Sequence, residues 1–138
     1  MIPGRGKERG MKIDRFDHLV VTTRDLERCL HFYVDILGME LDARNGRYAV
    51  KFGRNKINIH RKKAEFLPAA ANVTCGSQDL CLIAEGSIQQ IRAEIEAKGY
   101  PIELGVVDRT GACGPIDSLY LRDPDGNLVE IAVYKTKE

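Results

Sequence analysis

One pattern is written twice in this chain. The segment from His18, HLVVTTRDLERCLHFYVDILGMEL, and the segment from Asp79, DLCLIAEGSIQQIRAEIEAKGYPIEL, open in the same way. Each begins with a polar residue and an apolar, strand-like run, Leu19-Val20-Val21 in one and Leu80-Cys81-Leu82-Ile83 in the other. Each then turns polar and enters a helical pattern. Leu26, Leu30, Tyr33 and Leu37 recur at helical spacing in the first, and Ile88, Ile91 and Ile95 in the second. Asp25 and Ser87 are suited to N-cap these helices, and Gly38 and Gly99 to end them in the left-handed conformation. His18 to Gly38 and Asp79 to Gly99 are both intervals of 20 residues. A repeat of this length marks two copies of one supersecondary unit, neither able to bury its apolar face alone.

The rest of each unit reads as strands. After Gly38 come Met39-Glu40-Leu41, a turn at Asn45-Gly46, and the alternating run Arg47 to Phe52. Gly53-Arg54-Asn55 turns the chain into Ile57-Asn58-Ile59-His60. After Gly99 come Ile102-Glu103-Leu104 and a Gly-rich loop from Asp108 to Pro115. The strand Ser118-Leu119-Tyr120-Leu121 then leads to Asp123-Pro124-Asp125-Gly126-Asn127, a strong turn signal. Leu128 to Tyr134 is the closing strand. Each unit is therefore β-α-β-β-β. The fold class is α+β, with two βαβββ modules forming a curved open sheet around a cleft and helices outside. The expected boundaries are a disordered leader over 1–12 and a single domain over 13–135, with a tail at 136–138. Module one covers 14–62, a linker 63–76, and module two 77–135.

Composition narrows the function classes. The chain has 138 residues, enough for one domain with a real core. Its 21 basic and 20 acidic residues nearly cancel, which argues against nucleic acid or an anionic membrane as a partner. No apolar run approaches the roughly 20 residues of a membrane helix, and the N-terminus lacks the apolar centre of a signal peptide. Cys29, Cys75, Cys81 and Cys113 show no metal-knuckle spacing. Cys29 on a helix and Cys81 in a strand read as buried free thiols, so the expected setting is reducing and cytoplasmic.

Three segments carry a resemblance to a known family. They are Phe16-Asp17-His18-Leu19-Val20-Val21, Phe32-Tyr33-Val34-Asp35-Ile36-Leu37-Gly38-Met39, and Asp123-Pro124-Asp125-Gly126-Asn127-Leu128-Val129-Glu130-Ile131. In this order and spacing they resemble signatures of the vicinal oxygen chelate superfamily, the glyoxalase, bleomycin-resistance and extradiol dioxygenase group. Asp79-Leu80-Cys81-Leu82-Ile83 and Arg109-Thr110-Gly111-Ala112 with Gly114-Pro115 look closest to the subgroup of glyoxalase domain-containing protein five and its bacterial relatives.

The resemblance implies a divalent metal, Mn, Ni, Zn or Fe, held in the cleft by residues of the first and last strands of each module. There it acts as a Lewis acid on two neighbouring oxygens of a small substrate. The matching positions are His18 with Asn58, and Asp79 with Glu130; His60, two residues beyond Asn58 on the same strand face, is an alternative to it. Each has an ordinary reading as well. A lone histidine opening a strand is more often structural than catalytic. Glu130 lies among Leu128, Val129, Ile131 and Ala132, where a carboxylate needs solvent or a partner. Asp79 departs from the histidine or glutamine usual in the family and reads equally as a turn residue. His60, beside Arg61, Lys62 and Lys63, reads as an exposed strand end. Arg109 either clamps a substrate carboxylate or is a solvated loop arginine. His31 is a surface residue of the first helix, and Cys113 has no adjacent base to activate it.

The activity implied is that of a metal-dependent lyase or isomerase of glyoxalase I type, with Glu130 as ligand and base. Ring cleavage by an extradiol dioxygenase-like iron site is the alternative, and needs His60 beside His18 and Glu130. Metal-free small-molecule binding, as in bleomycin-resistance members, is the non-enzymatic reading. The family also implies a homodimer.

Overall fold

The computed structural model describes residues 10–136. Most of the leader and the last two residues of the tail lie outside the described residues. Module one runs β1 (His18–Thr22), α1 (Leu26–Leu30), a π-helical turn (His31–Ile36), β2 (Glu40–Arg44), β3 (Arg47–Phe52) and β4 (Asn55–His60). Module two runs β5 (Asp79–Ile83), α2 (Ile88–Ala97), β6 (Leu104–Gly111), β7 (Gly114–Arg122) and β8 (Leu128–Tyr134). The strand orders are β1-β4-β3-β2 and β5-β8-β7-β6, so the duplication extends to topology. In each sheet the first and last strands run parallel and the others antiparallel. The α+β architecture of two open four-stranded sheets with their helices follows the reading of the repeat. No helix among the described residues is long and apolar enough to cross a membrane.

Local chemistry places the elements where the repeat puts them. The Asp25 side chain accepts from the Arg28 N–H and caps α1, and the Ser87 hydroxyl accepts from the Gln90 N–H and caps α2. Asn45 and Gly46, at φ 54° and 71°, make the β2–β3 hairpin turn, whose twist needs positive φ at both positions.

The first helix departs from regular spacing. Its expected stripe was Leu26, Leu30, Tyr33 and Leu37; the fully buried residues are Cys29, Phe32, Tyr33 and Ile36. The π-helical turn explains this. The Leu37 N–H donates to the Phe32 carbonyl five residues back, at 3.0 Å, and the wider turn rotates the buried face.

A single core serves both modules. Val21, Phe32, Val50, Ile57 and Ile59 of module one pack with Ile88, Ile95, Leu119, Leu121 and Val129 of module two. These residues come from one face of each sheet and from the helices, leaving the alternate strand residues on an opposite, open face. Two contacts weld the modules further. The buried Tyr33 hydroxyl donates to Asp123 Oδ2 at 2.8 Å. Asp125 accepts from the Thr23 hydroxyl at 2.5 Å and from the Arg24 N–H at 3.0 Å. Asp123 is itself satisfied by Asn127 and by backbone N–H groups, so the turn DPDGN is a rigid plug against the start of α1.

Two expectations are corrected. The sequence of residues 108–115 predicts a long loop, but β6 and β7 run through them and are joined at Ala112-Cys113. Gly111 permits this tight hairpin, because an added Cβ there would lie 2.8 Å from the Tyr134 hydroxyl, which accepts from the Cys113 N–H at 2.9 Å. Arg109 is therefore a strand residue, opposite Ile116. Cys81, expected to be buried, is exposed; alternation places it with Asp79 and Ile83 on the open face of β5, an edge strand.

Candidate functional site

Register decides which candidates stand near one another. On sheet one, His18 lies opposite Lys56, Val20 opposite Asn58, and Thr22 opposite His60. On sheet two, Asp79 lies opposite Leu128 and Cys81 opposite Glu130. His18 and Asn58 are thus diagonal neighbours on one open face, and Asp79 and Glu130 are diagonal neighbours on the other, about 7–8 Å apart in each case. The two halves repeat one arrangement, and Asn58 holds the place that Glu130 holds in module two. His60 lies four register positions from His18, about 13 Å along the strand, with both side chains standing perpendicular to the sheet.

Each candidate has partners of its own. The His18 Nδ1 is 2.8 Å from Asp17 Oδ2, and this contact holds the Asp17 carboxyl below its ordinary value. A carboxylate on Nδ1 fixes the ring and leaves Nε2 outward as the free nitrogen. The Asp79 carboxylate lies in the field of Arg122, whose guanidinium is bound by Glu103 at 2.9 Å. The His60 ring packs edge-on against Phe66, with centroids 5.2 Å apart. Glu130 is half-buried and accepts at Oε2 from the fully buried Ser118 hydroxyl at 2.6 Å. Partial desolvation of the sulfur at the sheet surface, and then the nearby Glu130, raise the Cys81 thiol to about 11, so at neutral pH it is protonated.

A row of functional groups crosses the open face of sheet two. Arg109 on β6 donates from Nε to the Tyr120 hydroxyl on β7 at 3.0 Å. Tyr120 is directly opposite Glu130 on β8, and Glu130 is directly opposite Cys81 on β5. The Tyr120 oxygen accepts from Arg109, so its own proton is available to donate elsewhere. The Arg109 side chain thus reaches along the sheet to the Tyr120 phenol, and Tyr120 is the cross-strand neighbour of the Glu130 carboxylate. Ser118 and Tyr120 carry no motif that marks them in the sequence. The signal was present in the alternation of Ser118-Leu119-Tyr120-Leu121, which places both on one face.

The resemblance implies a metal at these positions. His18, Glu130 and Asp79 are each competent ligands by chemistry. Among the described residues, however, no three His, Cys, Asp or Glu side chains gather closely enough to hold an ion. The ligand set therefore does not fit a metal within one copy of the chain.

Comparison with known proteins identifies the family. The model of the Glyoxalase/Bleomycin resistance protein/Dioxygenase superfamily matches residues 15–131. The chain is 46% identical over 125 residues to virulence protein STM3117 of Salmonella typhimurium, covering 90% of this chain and 87% of that protein. It is 40% identical over 129 residues to glyoxalase domain-containing protein RDO1 of Mycosarcoma maydis, covering 94% of this chain and 73% of that one. The solved structure of an integron cassette protein from the mobile metagenome of V. cholerae superposes with a TM-score of 0.87 at 44% identity, covering 92% of this chain and all of that one. With a family model spanning nearly the whole chain and relatives this similar, the protein belongs to the glyoxalase/bleomycin resistance protein/dioxygenase superfamily.

Proposed function

We propose that this protein is a glyoxalase-like lyase or isomerase of a small, oxygen-rich substrate, with Glu130 as the group that moves the proton. The observation that carries the reading is the row Arg109–Tyr120–Glu130 on one open face, with Ser118 holding one carboxylate oxygen. Arg109 clamps the oxyanion end of the substrate. The free Glu130 oxygen takes a proton from the carbon next to a carbonyl, and the Tyr120 hydroxyl donates a hydrogen bond to the enolate oxygen that develops. Returning the proton to the adjacent carbon completes the isomerisation without net gain or loss of atoms.

The finer, metal-dependent form assigns Mn, Ni, Zn or Fe to His18, Asp79, Glu130 and His60. Their separation within one copy gives it no support, and the distance of His60 from His18 weakens the dioxygenase alternative for the same reason. That separation favours, as second reading, metal-free binding of a small molecule in the cleft. The partner we propose besides the substrate is a second copy of the chain, because Val20, Ile83 and Leu104 leave apolar surface on the open faces. The cytoplasm remains the proposed compartment, on the reduced-cysteine argument.

The test is consumption of the methylglyoxal–glutathione hemithioacetal by purified protein, before and after EDTA and metal add-back. Turnover that falls about 10²–10⁴-fold in Glu130→Gln supports the proposal. Turnover unaffected by Glu130→Gln, or saturable binding of the adduct without turnover in any metal state, overturns it, and the latter outcome leaves the binder reading. Metal content that tracks activity and is lost in His18→Ala establishes the metal-dependent form.

A further inference from the structure

Away from the open faces, on the helix side of the sheets, the two modules leave a crevice of about 310 Å³ between them. The end of the π-helical turn and α2 form its walls. Its apolar lining includes Leu37, Phe52, Leu82 and Ile91, each left half-buried. The Lys98 Nζ donates to the Ile36 carbonyl at 2.9 Å and so fixes the spacing of the two walls. Glu85 and Glu94 are the carboxylates of the lining, and both are exposed. The crevice is therefore apolar inside and acidic outside.

The segment before β1 has the opposite need. Met11, Ile13 and Phe16 are 88%, 77% and 82% exposed, so their side chains touch almost nothing of their own copy. Large apolar side chains gathered this closely and left uncovered mark an interaction surface. The segment is nevertheless rooted. The Phe16 carbonyl accepts from the Asn55 side-chain amide, the Arg54 carbonyl from the Arg15 guanidinium at 3.3 Å, and the Asp17 carbonyl from the Lys56 N–H at 3.2 Å. Asn55 lies directly opposite Phe52, which lines the crevice. Arm root and crevice thus share one end of the molecule.

We propose that the arm over residues 11–16 of one copy seats in the crevice of a second copy, and that the second copy's arm returns the contact. Because root and crevice share one end, two copies related by a two-fold axis at that end exchange arms at once and close the assembly. From Asp17 back to Met11 the chain spans up to about 20 Å, enough to cross such a junction. Laid extended, the arm puts Met11 and Ile13 on one side, toward the apolar floor, and Lys12 on the other. The long stem of Lys12 then brings its charge to the rim carboxylates of Glu85 and Glu94. The inference rests on the reading of a second copy as partner and not on the proposed reaction.

The experiment is sedimentation velocity of the full chain over a concentration series, with isotope-filtered NOE spectra of a mixture of labelled and unlabelled chains. A dimer is expected, with NOEs between chains from the Met11 and Ile13 methyls to Phe52 and Ile91. Ile13→Glu, present twice in the dimer, weakens it about tenfold or more and unfolds at the parent's temperature, which excludes misfolding as the cause. Lys12→Glu and Glu85→Lys each weaken it about fivefold, and together restore it to within about twofold of the parent. Glu130→Gln dimerises as the parent does, so loss of the chemistry and loss of the arm contact are separate results. NOEs confined within one chain put the arm on its own copy and overturn the proposal. A dimer unaffected by Ile13→Glu also overturns it and leaves a contact through the open faces standing. A double variant no tighter than either single one overturns this seating of the arm, and a chain that stays monomeric overturns the second copy as well.

Discussion

Glu130 and its neighbours set the chemistry of the second sheet one side chain at a time. Partial desolvation of its sulfur is the main cause of the raised Cys81 thiol, although the residue is exposed, and the adjacent carboxylate adds to it. With its thiol at about 11 instead of the ordinary 9.0, Cys81 carries about a hundredfold less thiolate at about pH 8. Alkylation by iodoacetamide, followed by mass spectrometry, is expected to lag that of an unperturbed thiol by about that factor. Glu130→Gln speeds it, because a neutral amide no longer opposes the thiolate. An unchanged rate would mean that the two side chains do not sense each other. Tyr33 is set by the same physics in the core. Burial, reinforced by Asp123, drives its hydroxyl far above the ordinary phenol range, so it acts only as a donor. Tyr33→Phe removes a bond to a charged acceptor and is expected to cost about 1.5–3 kcal/mol in urea unfolding.

Among the elements, the linker and the β6–β7 hairpin are the least symmetrical parts. The linker is fastened at Glu65, whose carboxyl is held below its ordinary 4.5, first by the Arg61 guanidinium and then by the Arg61 N–H. A depressed carboxyl contributes stability that is complete above its unfolded value and lost as pH falls through the folded one. The linker should therefore loosen below about pH 4.5, seen as faster proteolysis around Phe66, while Glu65→Gln shows that looseness already at neutral pH. At the linker's far end Gly76, at φ 78°, lies so close to the Asp125 backbone that an added Cβ would overlap its carbonyl oxygen. Gly76→Ala is expected to lower stability by about 2 kcal/mol or more in thermal unfolding. The hairpin shows where sequence reading stops. Asn45-Gly46 announces its turn, because two positive-φ positions need those residues. Gly111 to Pro115 reads as loop because glycine and proline are poor strand formers, and its pairing depends on Tyr134, a long-range contact that composition does not reveal.

At the scale of the molecule, the two modules, their caps and their helix stops were legible because they depend on local spacing that is repeated. The candidate site was legible only in part. His18, Asp79 and Glu130 stand on open faces, yet whether side chains gather around an ion depends on how the sheets are placed, which alternation cannot convey. A dimer built on the open faces is expected to run near twice the chain mass of 15.4 kDa in light scattering, and Ile83→Lys, on an exposed edge strand, to shift it toward monomer. The turn Asp123 to Asn127 has a further consequence for the two-fold ancestry of the chain. Its aspartates serve the opposite half, whereas the matching bend of module one, Gly53-Arg54, carries no acidic residue. The copies have become donor and acceptor to each other and are no longer interchangeable. A chimera of two first halves would bury a tyrosine hydroxyl with nothing to receive its proton, so this duplication can no longer be undone by simple excision.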